Sequence, residues 1–182
     1  MDIMEVIEKR RSIRKYKGDP IPEEKLNKIL EAARIAPSWS NMQCWRYVVV
    51  KDENTKKALA DALPSRNPVK KAFTQAPIII VGCADPERSG YIGSQRIGDK
   101  QWHILDLGIS MQQLVLAATN EGLGTCWVCW FSEKGVKDIL KIPENIDVVA
   151  LTPLGYPDEE PKAKHRKSVE EIVYYGKYGA SE

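Results

Sequence analysis

The chain has 182 residues, 43% of them hydrophobic and 29% charged, with a formal net charge of +2. That length fits one domain with a sizeable core, and charge so near balance excludes a general nucleic-acid binder, which needs a strongly basic face. No apolar run approaches the roughly 18–20 residues of a membrane span, and the opening MDIMEVIEKRRS puts its charges after a short amphipathic stretch, the reverse of a secretory leader.

Asp2 is placed to cap a short helix through Glu8, with Ile3, Val6 and Ile7 on one side. The basic segment KRRSIRKYKGDPI follows, closed by Pro20 and Pro22. Pro22 with Glu23 and Glu24 reads as a helix start, and Leu26, Ile29, Leu30, Ala33 and Ala36 carry an apolar stripe to Pro37. APSWSNMQCW is too polar and too punctuated for regular structure. WRYVVVKD reads as a strand, NTKKALADAL as a helix closed by Pro64, and SRNPVKKAFTQ as a loop with one helical turn. Ala76 to Ala84 is a continuous apolar run of strand length, so both its faces should be covered. Residues 85–103 are the longest irregular region and are expected to form a mobile lid.

From Ile104 to Ala118 the pattern is helical and apolar almost all the way round, with a narrow polar edge at Gln112 and Gln113. Such a helix belongs inside a protein or inside an interface. Gly122 and Gly124 stop it, and TCWVCWF, residues 125–131, then reads as a buried strand. Ser132 caps a helix of about nine residues that ends before Pro143. IDVVALTPLGYP is the last strong strand; the charged loop DEEPKAKHRK leads to a capping box, Ser168-x-x-Glu171, and a short apolar turn at Ile172 and Val173. Helices and strands intermix, which predicts an α+β fold with about four strands and at least five helices. The helices ahead of the first good strand break strict βαβ alternation, so a doubly wound dinucleotide fold fits less well.

Several segments carry candidate chemistry. The planar fork of arginine donates two parallel hydrogen bonds to phosphate oxygens. Arg10, Ser12 and Arg14 alternate, so on an extended segment they face the same way. They read either as an anion grip or as a solvated charge run. In the loop after the second helix, Ser38, Ser40, Asn41 and Gln43 could read the polar edge of a planar heterocycle walled by Trp39 or Trp45, or could simply cap the loop. A second basic cluster, Lys164-His165-Arg166-Lys167, is either a charged surface loop or the completion of an anion site begun by Arg10. Cys126-x-x-Cys129 invites a zinc or redox reading. Zinc needs two further ligands, and neither the lone Cys44 and Cys83 nor His103 and His165 supply them. A redox pair should open a helix, whereas this one lies in an expected strand, where residues three apart face opposite sides. Both thiols read as packed, and four cysteines inside apolar segments suit a reducing compartment, the cytoplasm. Gly122-x-Gly124 follows a helix and lacks a third glycine, so it is no dinucleotide fingerprint. No Ser–His–Asp set, paired carboxylates or P-loop is present, and the chain has two histidines. Any enzymatic chemistry therefore belongs to a cofactor.

Read together, Arg10-Arg-Ser-x-Arg14-x-Tyr16, Ala36-Pro-Ser-x-x-Asn-x-Gln43, the apolar helix into Gly122-Leu-Gly-Thr-Cys-Trp127, Gly155-Tyr-Pro157, and Arg166 ahead of Val-Glu-Glu-Ile-Val resemble the FMN-dependent nitroreductase family, the NAD(P)H:flavin oxidoreductases. The resemblance covers nearly the whole chain. It implies a single FMN-binding domain over 1–182, with a mostly antiparallel sheet of four to five strands flanked by helices. It further implies a homodimer with two FMN at the subunit interface. Arg10, Arg11, Ser12 and Arg14 would hold the FMN phosphate and ring polar atoms from one subunit, with Lys164 and Arg166 joining at the phosphate. Pro37, Ser38, Asn41 and Gln43 would reach the same FMN from the other subunit. The backbone at Val128, Cys129 and Trp130 would lie beside the flavin near N5, and Asn67 and Lys70 or Lys71 match further flavin contacts. The activity implied is ping-pong hydride transfer from NAD(P)H through flavin N5 to nitroaromatic or quinone acceptors, with no metal and no catalytic side chain. A related flavoprotein role, reductive dehalogenase, dehydrogenase or non-catalytic flavin binder, is the alternative. Two departures bear on substrate choice: Cys129 and Trp130 stand where many relatives carry small residues, and Cys44 stands where proline is frequent.

Overall fold

The computed structural model describes residues 1–179. Its centre is an antiparallel four-stranded sheet in the order β1-β2-β6-β5, made of Trp45–Val50, Ile78–Ala84, Asp147–Gly155 and Gly124–Thr125. β2 is the pivot, buried along its whole length. Side chains alternate across a strand, and in β2 the alternation feeds two cores. Ile79, Val81 and Cys83 pack with Leu59, Phe73, Val136 and Leu151, while Ile78 and Ile80 pack with Leu26, Ile29, Leu114 and Val115. One face is thus covered by α3 (Glu53–Asp61), α4 (Ala72–Gln75) and α6 (Glu133–Leu140). The other is covered by α2 (Glu23–Arg34) and α5 (Trp102–Asn120). This is the α+β architecture expected from the sequence.

Local signals set most boundaries. Asp2 accepts from Glu5 N to start α1 (Ile3–Lys9), Asp52 accepts from Thr55 N to start α3, and Ser132 accepts from Gly135 N to start α6. Gly82 lets α5 approach the sheet: a Cβ there would meet Leu107 Cδ2 at 3.2 Å and Met111 Sδ at 3.3 Å.

Four expectations need correction. Residues 125–131 are not a strand; only Gly124 and Thr125 pair, and Val128 makes an isolated bridge to Leu151. Nearly continuous apolarity there reflects packing around an irregular turn. α5 begins at Trp102, two residues before the expected start, and in the single chain Leu105 is 51% exposed with Ile104 exposed beside it, which leaves the interface alternative standing. Within residues 85–103 lies a small hairpin, β3 (Tyr91–Ile92) with β4 (Gln95–Arg96). The capping box forms only in half, with Ser168 N donating to Glu171 Oε2 at 2.8 Å; the short turn expected after it is present.

Candidate functional site

The arginine segment is extended because it is stitched on both sides. Ile13 N donates to Thr125 O (2.9 Å), Lys17 N to Tyr156 O (2.9 Å), and Asp158 N to Lys15 O (3.0 Å). Ile13 and Tyr16 are buried, and Tyr16 Oη donates to Ile13 O at 2.6 Å. With these pointing inward, Arg10, Ser12 and Arg14 line one cleft of ≈ 540 Å³. The backbone pairing of residues 155–158 with 15–17 swings the following segment alongside, so Lys162, Lys164 and Arg166 line the same cleft. Among the described residues none of its six cations forms an ion pair. Arg11 also borders it, but its guanidinium turns back onto the carbonyls of Glu8 and Arg10. Unpaired cations gathered around one concavity call for an anion.

The second group sits at the other end of α5. Pro37, Ser38, Asn41 and Gln43 form a tight loop over a short 3₁₀ turn, Trp39–Asn41. Gln43 N donates to Ser38 Oγ (2.9 Å), Gln43 Nε2 to Asn41 Oδ1 (3.1 Å), and Trp39 N to Asp106 Oδ1 (2.9 Å). Ser40, Asn41 and Gln43 all have positive φ, at 44°, 57° and 48°, a region that strains non-glycine residues. Thr119 lies beside Arg11 and Ile13. From Asp106 to Thr119 is about 20 Å of helix axis, so one chain keeps the two groups well apart.

A third group joins Asn67 to residues 128–130. Asn67, 7% exposed, donates through Nδ2 to Trp130 O at 2.9 Å and accepts from Val69 N at 3.0 Å. Val128 exchanges both backbone hydrogen bonds with Leu151. Its amide is therefore occupied and its role is a buried wall. The amides of Cys129 and Trp130 donate to no atom among the described residues, and both side chains are exposed. Lys70 pairs with Asp61 at 3.1 Å and Lys71 is exposed; neither joins Asn67.

The nitroreductase family model matches residues 7–73 and 65–156. The chain belongs to the nitroreductase family. A Thermus thermophilus protein named NADH dehydrogenase is 36% identical, with 92% of each chain covered. The crystal structure of a nitroreductase family protein from Clostridium novyi NT has a TM-score of 0.81 at 40% identity, covering 100% of this chain and 97% of that one. The NADPH:FMN oxidoreductase from Vibrio harveyi, solved with NAD⁺, has a TM-score of 0.84 at 30% identity over 99% of this chain and 79% of its own.

Of the two thiols expected to be packed, Cys126 is buried but Cys129 is exposed, because the turn after Val128 carries it out of the core. Burial, chiefly, raises the Cys126 and Cys129 pKa values, which keeps both thiols protonated near neutral pH, and neither opens a helix. Among the described residues no cluster of three or more His, Cys, Asp or Glu could hold a metal. No helix of the described residues is long and apolar enough to cross a membrane. Sequence reading missed Lys162 and, more importantly, Asp106. The signal for Asp106 was present: it is the one acid inside the apolar helix.

Proposed function

We propose that this nitroreductase family protein is an NAD(P)H-dependent FMN oxidoreductase that works as a homodimer. The observation that carries the reading is the cleft of unpaired cations at one end of α5. The polar loop lies at the other end, where α5 also exposes Ile104 and Leu105. Two chains packed along α5 about a two-fold axis would run their helices antiparallel, and each cation cleft would then meet the partner's loop.

The residues present fit FMN. Arg10, Arg14, Lys164 and Arg166 suit a phosphate, which takes forked guanidinium donors best. Ser38, Asn41 and Gln43 suit the donors and acceptors of a heterocycle edge. When bound, FMN supplies the redox chemistry, with hydride entering from NAD(P)H and electrons leaving to a nitroaromatic or quinone acceptor. The free amides of Cys129 and Trp130 serve as fixed donors toward the flavin edge, and Asn67 holds that turn in place through the Trp130 carbonyl. Cations near the ring would favour a negatively charged reduced state, as preorganised dipoles favour any developing anion. The exposed side chain of Trp130 would limit how large an acceptor can lie over the ring. The buried, unpaired thiols of Cys44, Cys83 and Cys126 support a cytoplasmic location.

The test is direct. The purified protein should be yellow, or become so with FMN, and should bleach when NADPH or NADH is added without oxygen. A colourless protein that takes up no FMN overturns the proposal. A yellow one that neither nicotinamide bleaches retains flavin binding and loses the oxidoreductase role.

A further inference from the structure

Asp106 is a carboxylate inside an otherwise apolar helix, 2% exposed, with no cationic partner among the described residues. A buried charge of this kind is costly unless hydrogen bonds compensate it. Its compensation comes from two separate segments. Oδ1 accepts from the backbone N of Trp39, next to Ser38, and Oδ2 accepts from the hydroxyl of Ser89 at 2.6 Å, where the 85–101 segment leaves the sheet. The thiol of Cys44 lies 3.7 Å from Oδ2 and closes the site from below.

We propose that Asp106 is a positioning residue that couples the polar loop at residues 37–43 to the segment at 85–101, so that one buried carboxylate holds both in register. Three non-glycine residues with positive φ in the loop would relax toward ordinary backbone unless something over-determines them. Asp106 anchors the residue just before the first of them. The other segment is fastened at the same place. Trp39 Nε1 donates to Tyr91 O, the Trp39 and Trp102 rings pack at a tilt with centroids 5.0 Å apart, and Gly90 (φ +84°) lies so close to Trp102 that a Cβ would meet its ring at 2.3 Å. The 85–101 segment is therefore a fastened cover, and releasing Asp106 loosens both ends of the coupling. The consequence for flavin affinity rests on the proposed function; the coupling itself does not.

The experiment uses Asp106→Asn, which preserves shape but cannot accept from both donors with full charge, together with Ser89→Ala and the double variant. Limited trypsin digestion reads the cover through Arg96 and Lys100. Cleavage there should quicken about 5- to 10-fold in each single variant. The double variant should cleave no faster than Asp106→Asn alone, because the second substitution removes a bond already lost. The FMN dissociation constant should rise about 10-fold in Asp106→Asn and stay within about two-fold in Ser89→Ala. A global loss of stability would instead quicken cleavage throughout the chain. Wild-type cleavage in either single variant, or additive cleavage in the double, overturns the coupling. In Asp106→Asn, quickened cleavage with unchanged FMN affinity overturns the half of the proposal that reaches the loop. If Asp106→Asn does not fold, Ser89→Ala decides by the cleavage rate alone. If the wild-type protein takes up no FMN, the flavin reading fails, while digestion still decides the coupling.

Discussion

At the C-terminal end of α5, six cations share a cleft with no ion-pair partner among the described residues. At its N-terminal end a short loop holds its shape with the Trp39 amide on Asp106, the Gln43 amide on Ser38 Oγ and the Gln43 side-chain amide on Asn41 Oδ1. On the proposed function, the first region would recognise by unpaired charge and the second by a shape held in a strained backbone. A phosphate suits the first, because cations can close on a charged, mobile group without a preset geometry. A flat ring suits the second, because a planar edge requires donors and acceptors that do not move. The two regions differ in what a substitution should do, and that difference can be tested.

The widest effect should come from alkaline pH. Burial, reinforced by the charge of Asp106, pushes the Cys44 pKa up to about 12, and burial pushes Tyr47 up to about 12 as well. In the unfolded chain these groups ionise near 9 and 10. The folded state therefore holds protons that the unfolded state has released, and stability present below pH 9 should be lost progressively toward pH 12, at roughly 1 kcal/mol per pH unit per group. Both residues flank the loop end of α5, so FMN should protect against this loss if it seats on the loop. Denaturant midpoints measured from pH 8 to 11 check the slope; a flat profile would contradict the burial of these groups.

At the cation end, Arg10→Ala should weaken FMN binding by about 1.5–3 kcal/mol, the worth of a charge-assisted hydrogen bond. High salt should shrink that difference. Fluorescence titration reads it, and unchanged affinity would remove Arg10 from the ligands. Gly124→Ala attacks the same end from below. Its Cβ would sit 2.7 Å from Ile13 Cγ1, so the arginine segment must shift, costing about 1–3 kcal/mol of stability by overpacking. Thermal unfolding with and without FMN separates the packing cost from the displaced arginines.

At the loop end, Ser38→Ala should cost about 1 kcal/mol of stability, since Gln43 N loses its acceptor. Unlike Arg10→Ala, it should be insensitive to salt. Smallest of all, Cys126→Ser with Cys129→Ser should retain flavin turnover; abolished activity with the fold intact would revive a thiol mechanism.

The legibility of the sequence varied by element in a physical way. Caps at Asp2 and Ser132 and the buried run of β2 were readable because they depend on near neighbours or on burial of a whole face. The strand expected at 125–131 failed because a β-rich composition cannot show whether a partner lies alongside. Beyond Thr125 only Val128 meets Leu151. Arg10, Ser12 and Arg14 could be aligned by alternation, yet nothing local showed that Arg11 folds back on α1 or that Lys70 is held by Asp61.

The sequence by itself determined the α+β class, most element positions, and the family through motifs whose order survives without coordinates. Only the tertiary structure decided which motifs meet. Lys164 and Arg166 join Arg10 because the backbone of 155–158 pairs with 15–17, a contact between segments more than a hundred residues apart. Likewise Asp106 reaches Trp39 and Ser89 only through the packing of α5 against the sheet, which no local pattern encodes. Alternation and capping act over one to four residues, whereas a binding site is assembled by contacts whose partners the chain reaches only after it has folded.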